Sequence, residues 1–415
     1  MNILFLDAYF EPESIAFTHL ENDLLDELTR AGHNIYIICP IPTRGVDDTV
    51  RKKYKYKRKE ILYNGHVHVR RFSAPKEGKN PVMRMFRYFW CNLQSYRYGV
   101  KCKNVDVIFA NSTPPTQGML AVFVKQKLGK NKNIPFIYCL QDIFPDSLVN
   151  AKMTSKGSLI WKIGRKIEDY TYKNADEIIT ISDAFKQNII KKGADEDKIH
   201  IVPNWIDTSE VFPVARDSNP IFDRYKLDRN KFYICYSGNI GHSQNMNLLL
   251  DVAKRIKDKD VCFVVIGDGA ARIDMEKRIA AENIANVIML PFQPYEEIAN
   301  VFSLGDVGLI ISKPGIGGSS VPSKTWSIMA AEKPILASFD QESELSVLIR
   351  KVGCGVVCQA GDKESLIEAI GRLKQENHVE MGMNGRNYVT NEISKKKCVS
   401  QYVDIFKKYE RGRYK

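Results

Sequence analysis

The sequence predicts an α/β protein of two doubly wound, Rossmann-like domains that face a cleft. Three observations support this fold class. Predicted strands and helices alternate almost throughout; the alternation is interrupted at 205–230 and then restarts; and 415 residues are too many for one hydrophobic core. Short apolar strands separated by helices are typical of a parallel sheet that is covered on both faces.

The first predicted domain covers residues 1–204. It opens with the strand NILFLDAY, an amphipathic helix whose leucines share one face, and the strand NIYIICP, which together make a βαβ unit. Later strands are predicted at 106–111, 135–140, 177–182 and 198–204. Residues 205–230 are rich in Asp, Pro, Arg and Asn, so we predict that they connect the two domains.

The second predicted domain covers residues 231–385, where the alternation begins again with FYICYSG and continues through VCFVVIGDG, NVIMLP, DVGLII and PILASF. The last segment, 386–415, predicts a C-terminal helix that could cross back to the first domain. Two such domains leave a cleft between the carboxyl ends of their strands, where open α/β sheets bind ligands. We therefore expect the functional site there.

Composition excludes several classes of protein. The chain is 44% hydrophobic and 27% charged, as globular proteins are, and no apolar stretch approaches the roughly 20 residues that span a bilayer. The nine cysteines form no CxxC pair and several lie in apolar strands, so we expect reduced thiols and no metal site. The start MNILFLDAYF lacks a signal-peptide pattern, because Asp7 breaks its apolar run, which predicts a cytoplasmic location.

The net charge of +12 is concentrated in residues 44–103, which contain 17 Lys and Arg against 4 Asp and Glu. One predicted helix in this region has an apolar face flanked by cations; the apolar residues are Met83, Phe86, Phe89, Trp90 and Leu93, and the cations are Arg84, Arg87 and Arg97. A basic, aromatic helix suits an anionic membrane surface. A core helix with a solvated rim is one alternative. Nucleic-acid binding is the other, and no known nucleic-acid motif accompanies the charge.

The stretch GIGGSSVPSKTWS at 315–327 resembles a phosphate-binding loop. It follows the predicted strand DVGLII and precedes a predicted helix, which places Lys324 near a helix N-terminus that favours an anion. The P-loop pattern GxxxxGK[ST] nearly fits at 318–325, but Ser323 stands where its second glycine belongs. An ordinary turn is the alternative, because Gly, Ser and Pro also cluster in turns.

Two further strand ends carry candidate chemistry. The turn YSGNIGHSQN at 236–245 contains Gly238 and Gly241, which would let the backbone approach a phosphate, although a plain strand-to-helix turn also uses such glycines. Asp142 ends the strand PFIYCLQD, and its carboxylate could act as a base, orient a hydroxyl or stabilise positive charge. The alternative is that Asp142 caps the next helix.

Taken together, six motifs in this order resemble the retaining glycosyltransferases of family 4: LQDIFPDS, KIHIVPNWID, YSGNIGHSQNMNLLLDVA, VIGDGAAR, VPSKTWSIMAAEKPILAS and ESELSVLIRKVGCGVV. More narrowly, they resemble the bacterial amino-sugar transferases of the WbuB type, which include N-acetyl-L-fucosamine transferases. The resemblance extends over almost the whole chain. It implies a GT-B fold, a nucleotide-sugar donor held mainly by the second domain, and no metal or other cofactor.

The resemblance also implies roles for individual residues. The family's acid or base position falls on Asp142, its donor-phosphate loop on Gly238, Asn239 and Gly241, and its pyrophosphate lysine on Lys324. Because a departing diphosphate concentrates negative charge, Lys324 would stabilise the leaving group. Asp142 and Lys324 are therefore the predicted catalytic residues.

The chain departs from the family pattern at several positions. Ser319 and Ser327 replace the two glutamates that many members carry, His242 stands where the donor loop usually has an arginine, and SIAF replaces the glycine pair after the first strand. With those glutamates absent, Glu344 is the candidate for a carboxylate that binds donor hydroxyls, a helix N-terminal Glu being the alternative. The remaining predicted donor contacts in this region are Ser319, Ser320, Ser323 and Lys324.

These observations predict a metal-independent, retaining glycosyltransferase. It would move an N-acetyl-deoxyhexosamine such as N-acetyl-fucosamine from a UDP-sugar to a polyprenyl-diphosphate-linked glycan in capsule or O-antigen synthesis. Residues 44–103 would hold it on the inner face of the cell membrane. Two alternatives stay open: a UDP-sugar 2-epimerase of the same architecture, which needs no acceptor, and a nucleic-acid-binding protein, which would ignore UDP-sugars.

Overall fold

The computed structural model describes residues 1–13, 17–76, 81–131, 133–150, 153–316, 321–375 and 378–410. The chain forms two compact units. One consists of residues 1–204 together with the chain from Cys398 onward, and the other of Trp205–Lys397. Each unit is a sheet covered by helices, which is the α/β architecture that the sequence predicts.

The first unit is built on eight strands. They are β1 (Asn2–Leu6), β2 (Asn34–Pro40), β3 (Lys59–Leu62), β4 (Val67–Phe72), β5 (Val107–Asn111), β6 (Phe136–Leu140), β7 (Glu177–Thr180) and β8 (Ile199–Ile201). Their order in the sheet is β3-β4-β2-β1-β5-β6-β7-β8. All neighbours are parallel except β3 and β4, which form an antiparallel hairpin at one edge.

Seven helices accompany these strands in the sequence. They are α1 (Thr18–Arg30), α2 (Asp48–Tyr56), α3 (Pro81–Gly99), α4 (Gln117–Leu128), α5 (Asp146–Asn150), α6 (Leu159–Asn174) and α7 (Asp183–Lys191). As predicted, α1 buries its leucine face. Ser158 and Ser182 accept hydrogen bonds from backbone N–H groups in the first turns of α6 and α7, which fixes where these helices begin. Apolar side chains of α3, α4, α6 and α7 share one core with the central strands.

The second unit has six strands, all parallel. They are β9 (Phe232–Ser237), β10 (Val261–Ile266), β11 (Val287–Leu290), β12 (Val307–Ile311), β13 (Ile335–Phe339) and β14 (Gly355–Gln359), in the order β11-β10-β9-β12-β13-β14. The helices are α8 (Pro220–Arg224), α9 (Met246–Arg255), α10 (Arg272–Ala281), α11 (Ile298–Ser303), α12 (Lys324–Ala330), α13 (Glu344–Val352), α14 (Lys363–Gln375) and α15 (His378–Glu392).

The segments predicted as connection and C-terminal helix have distinct places. Within 205–230, α8 contributes Ile221 and Phe222 to a core of the second unit. The final helix, α16 (Lys395–Lys407), packs on the sheet of the first unit: the Phe406 ring lies 5.7 Å from that of Phe109. Among the described residues, no helix is both long and apolar enough to cross a membrane.

Each sheet has one point at which the strand order reverses. It lies between β1 and β5 in the first unit and between β9 and β12 in the second. Loops that leave adjacent strands in opposite directions open a crevice at such a point, beyond the carboxyl ends of the strands. These two places are where ligand-binding residues are expected.

Candidate functional site

A glycine loop follows β9 at the reversal point of the second sheet. Gly238 has φ +132°, and the loop is fastened to the turn after β10, since Ile240 N donates a hydrogen bond to Asp268 O at 2.8 Å. Gly267 in that turn has φ +150°, and a Cβ there would lie 1.9 Å from the Gly238 carbonyl oxygen. The two turns can therefore pack this closely only because residue 267 is a glycine.

Lys324 reaches this glycine loop from the neighbouring strand end. It is the first residue of α12, and its Nζ atom lies 3.0 Å from where a Cβ would stand at Gly238. The same ammonium lies 3.7 Å from the centroid of the Tyr236 ring, whose hydroxyl donates a hydrogen bond to Asn239 O at 2.6 Å. The fold thus brings together the lysine and the loop that were predicted to share a ligand.

The environment of Lys324 disfavours its charge. Burial lowers the pKa of its ammonium to about 7, and the nearby Cys235 thiol opposes this only in part. In the part of the chain that the structure describes, Lys324 forms no ion pair with a carboxylate. Its cation–π contact with Tyr236 compensates only partly for the hydration that the ammonium loses. An ammonium that is half-buried and, within the described residues, lacks a carboxylate partner favours the binding of an anion beside it.

The other residues predicted to contact the donor lie mostly at the surface. Asn239 and His242 are exposed, and Gly241 N donates a hydrogen bond to Gln244 Oε1 at 3.1 Å. Ser323 is exposed and precedes α12 without a side-chain cap to the helix. Ser319 and Ser320 lie outside the described residues.

Glu344 follows the next strand along the sheet. It is the half-buried first residue of α13, whose N-cap Ser343 accepts a hydrogen bond from Ser346 N. Gly315 N donates to Asp340 Oδ1 at 3.0 Å, which joins the loop after β12 to the loop after β13. Glu344 therefore lies at the same sheet edge as Lys324. It is also the first residue of a helix, which is the structural role that the sequence offered as an alternative to donor binding.

In the first unit, Asp142 lies just beyond β6. Its backbone N–H and that of Gln141 both donate to Ser112 Oγ, at 3.1 and 3.0 Å. Although the side chain reaches solvent, surrounding protein atoms raise the pKa of its carboxyl, and a hydrogen bond from the Ser147 side chain opposes this rise. Ser147 belongs to α5, so Asp142 contacts the first turn of that helix through a side chain and not through a backbone N–H group.

A buried carboxyl pair lies at the reversal point of the first sheet. Asp7, directly after β1, and Glu21, in α1, are each 2% exposed and hydrogen-bonded to each other. Asn111 Nδ2 donates to Asp7 Oδ1 at 3.0 Å. Burial raises the pKa of Asp7 to about 6, and burial together with the Asp7 charge raises that of Glu21 further. From the sequence, Asp7 counted only as a break in an apolar run; a carboxylate directly after the first parallel strand was the missed signal.

The basic region has its apolar surface on α3. Met83, Phe86, Phe89 and Leu93 are exposed, as the helical spacing predicted. Arg87 is an exception to the predicted rim of cations, because it is 1% exposed and donates a hydrogen bond to Thr43 Oγ1 at 2.8 Å. The Arg87 side chain therefore lies on the buried side of α3 and not on its solvent-exposed side.

Comparison with known protein families matches both halves of the chain. The family described as Glycosyltransferase Family 4 matches residues 22–210, and the family described as Glycosyl transferases group 1 matches residues 217–389. The chain is a glycosyltransferase of the GT-B fold. Asp142 lies in the first matched region, and the glycine loop, Lys324 and Glu344 lie in the second.

Relatives of this chain include two bacterial proteins that are also named as glycosyltransferases. It is 26% identical to the glycosyltransferase WbjE of Pseudomonas aeruginosa over 304 residues, which is 73% of this chain and 75% of WbjE. It is 25% identical over 272 residues to WcaI of Escherichia coli K12, 64% and 66% of the two chains, and the name of WcaI assigns it to colanic acid biosynthesis. The crystal structure of Anabaena Alr3699/HepE in complex with UDP shares its fold, with a TM-score of 0.71, 14% identity and coverage of 98% and 100%.

Proposed function

We propose that this glycosyltransferase uses a UDP-sugar donor and acts with retention of configuration. The sugar would be an N-acetyl-deoxyhexosamine such as N-acetyl-fucosamine, and the acceptor a polyprenyl-diphosphate-linked glycan in capsule or O-antigen synthesis. The observation that carries the proposal is the position of Lys324, a half-buried lysine whose ammonium faces a glycine loop at the reversal point of the second sheet. The UDP complex of the structurally similar Anabaena protein supports the choice of nucleotide.

The proposed chemistry follows from the charge of the leaving group. The bond between the sugar C1 and the diphosphate breaks while an acceptor hydroxyl forms a new bond to C1 on the same face and passes its proton to an oxygen of the departing diphosphate. UDP departs with negative charge, and the Lys324 ammonium stabilises it. Lys324 would thus supply the charge that a divalent cation supplies in other transferases. Glu344 would bind donor hydroxyls.

Asp142 is proposed to act on the acceptor side. Its position beyond the carboxyl end of β6 places it at the ligand-binding edge of the first sheet. Its raised pKa favours a carboxyl group that exchanges a proton or orients a hydroxyl. The exposed apolar face of α3 and the surplus of cations in 44–103 support a location on the inner face of the cell membrane, where a polyprenyl-linked acceptor resides.

A panel of nucleotide sugars tests the proposal in two steps. Thermal unfolding is first measured with each nucleotide sugar, because a ligand that binds the native state raises Tm. UDP release is then measured with the stabilising donor, with and without a polyprenyl-diphosphate-linked acceptor. We expect one UDP-sugar to stabilise the enzyme and UDP release to require the acceptor. Turnover without acceptor would indicate an epimerase, and stabilisation by no UDP-sugar would contradict the donor assignment.

A further inference from the structure

A pocket lies between the β3–β4 hairpin and α3, in the basic region of the first unit. Its volume is about 380 Å³, within the range of roughly 300–1,000 Å³ that small-ligand sites occupy. Trp90, Gln94 and Tyr98 line it from α3, and because they are spaced by four residues they share one face of the helix. The hairpin contributes cations to the opposite wall.

The charges in this pocket are not balanced within the protein. Lys59 stands directly opposite Arg70 in the antiparallel pairing of β3 and β4, and two like charges in such a pair destabilise a sheet. Arg58 lines the same wall. Within the described residues none of these three cations forms an ion pair, and no carboxylate lines the pocket. The nearby Glu60 is engaged by Arg71 at 2.9 Å.

The hydrogen-bond donors of the pocket are held in place. The Arg70 guanidinium lies 4.2 Å from the centroid of the Tyr98 ring, and Arg58 Nη2 donates to Ser73 Oγ at 2.7 Å. Gln94 is 8% exposed and makes no side-chain hydrogen bond to the rest of the described chain, so its amide N–H groups are available to a ligand. Guanidinium groups fixed in this way match the geometry of a phosphate.

We propose that this pocket binds the phosphate group of an anionic phospholipid headgroup. The proposal rests on the membrane location proposed above and assigns a specific contact to it. Phe89 and Leu93, which are 68% and 41% exposed, each precede a pocket residue of α3 by one position. Insertion of this apolar face to the depth of about 5–10 Å that is usual for interfacial helices would bring the pocket to the level of the lipid phosphates.

Vesicle sedimentation without any nucleotide sugar tests the proposal. Two kinds of vesicle are prepared from a neutral galactolipid, which contains no phosphate. One kind also contains phosphatidylglycerol and the other contains oleate, in amounts that give the two kinds equal surface charge. The double variant Lys59→Gln/Arg70→Gln alters the pocket, and Lys59→Gln alone is the milder variant. The control Lys52→Gln/Lys53→Gln removes two exposed charges of α2 from the same basic region but outside the pocket. Thermal unfolding confirms that each variant folds.

The expected readout is the ratio of binding to phosphatidylglycerol over oleate vesicles. We expect a ratio of about five or more in the wild type and in the control, since a fixed phosphate contact adds about 1 kcal/mol or more to general attraction. The ratio should fall to about one in the double variant. A ratio near one in the wild type, or an unchanged ratio in the double variant, would overturn the proposal.

Two further arms identify the source of the phosphate. If inorganic phosphate raises Tm in the wild type but not in the double variant, while the vesicle ratio stays near one, the ligand is a soluble phosphate and the lipid assignment is wrong. Binding of RNA that is lost in the double variant, again without a vesicle preference, would overturn it in favour of nucleic acid. Because no transfer step enters these measurements, their failure is distinct from a failure of the proposed glycosyl transfer.

Discussion

Donor binding is expected to be accompanied by proton uptake at Lys324. Burial lowers the pKa of this ammonium from 10.5 to about 7, a shift that disfavours the charged form by about 5 kcal/mol at roughly 1.36 kcal/mol for each unit. At pH 8 only about one tenth of the free enzyme then carries the proton. A bound diphosphate favours the ammonium, so its pKa returns towards the ordinary value and about 0.9 proton is taken up.

Calorimetric titration with UDP measures this uptake. The binding enthalpy is determined at pH 8 in two buffers with different ionisation enthalpies, and again at pH 6, where Lys324 is already mostly charged and uptake should fall to about 0.1 proton. Lys324→Met should bind UDP more weakly and take up no proton. The control is Lys333→Met, another lysine whose pKa burial lowers, because Lys333 lies before β13, at the opposite end of the strand from the site.

Two results would refute this reasoning. One is a binding enthalpy in the wild type that does not depend on the buffer at pH 8. The other is equal proton uptake in Lys324→Met and the wild type. The lowered pKa of Lys324 also affects the pH dependence of folding stability. Between pH 7 and 10.5 the unfolded chain binds a proton at this lysine that the native state lacks, so the free energy of unfolding rises with pH across this window. Below pH 7 the native state bears the full cost of the charged, desolvated ammonium.

Three further predictions concern single residues. Asp142→Asn should lower kcat about tenfold or more with little change in donor Kd, since the residue is assigned to the acceptor side; a large change in UDP affinity would contradict this. Gly267→Ala should lower Tm and weaken UDP binding at least tenfold, because its Cβ would meet the Gly238 carbonyl and φ is positive; unchanged Tm would show that the two turns can separate freely. Asp7→Asn should remove a pH dependence of stability. The pKa of Asp7 is raised from an ordinary 3.8 to about 6. The free energy of unfolding therefore decreases as pH rises from 3.8 to 6, by about 3 kcal/mol at most. Urea unfolding at pH 4 and pH 7 should show a smaller difference in the variant.

The sheets could be predicted from the sequence because their strands are continuous apolar runs. The strands β5, β6, β9 and β12 fall almost where the motifs place them, since a parallel sheet buried on both faces leaves little choice of residue. The hairpin of β3 and β4 was not predicted. Its strands KEIL and VHVRRF lie at a sheet edge, are short and contain several charged residues. This density of charge is more typical of a surface segment than of a buried strand.

The candidate site could be predicted only in part. The glycines and the lysine were accessible from local patterns and family resemblance, because each follows a strand end. The stacking of Lys324 on Tyr236 and the lowered pKa depend on burial between two loops that are far apart in sequence. The Asp7–Glu21 pair likewise forms only when α1 packs on the sheet. Such features arise from tertiary packing, which no local spacing encodes.

Proton NMR of the transfer product shows directly whether the enzyme transfers a sugar with retention of configuration. The stabilising UDP-sugar and a polyprenyl-diphosphate-linked acceptor are incubated with the enzyme, and the anomeric proton of the transferred sugar is followed together with UDP release. We expect one glycosidic product for each UDP released, with the anomeric configuration of the donor retained and no consumption of donor in the absence of acceptor. A product of inverted configuration, or conversion of the UDP-sugar without acceptor, would contradict it.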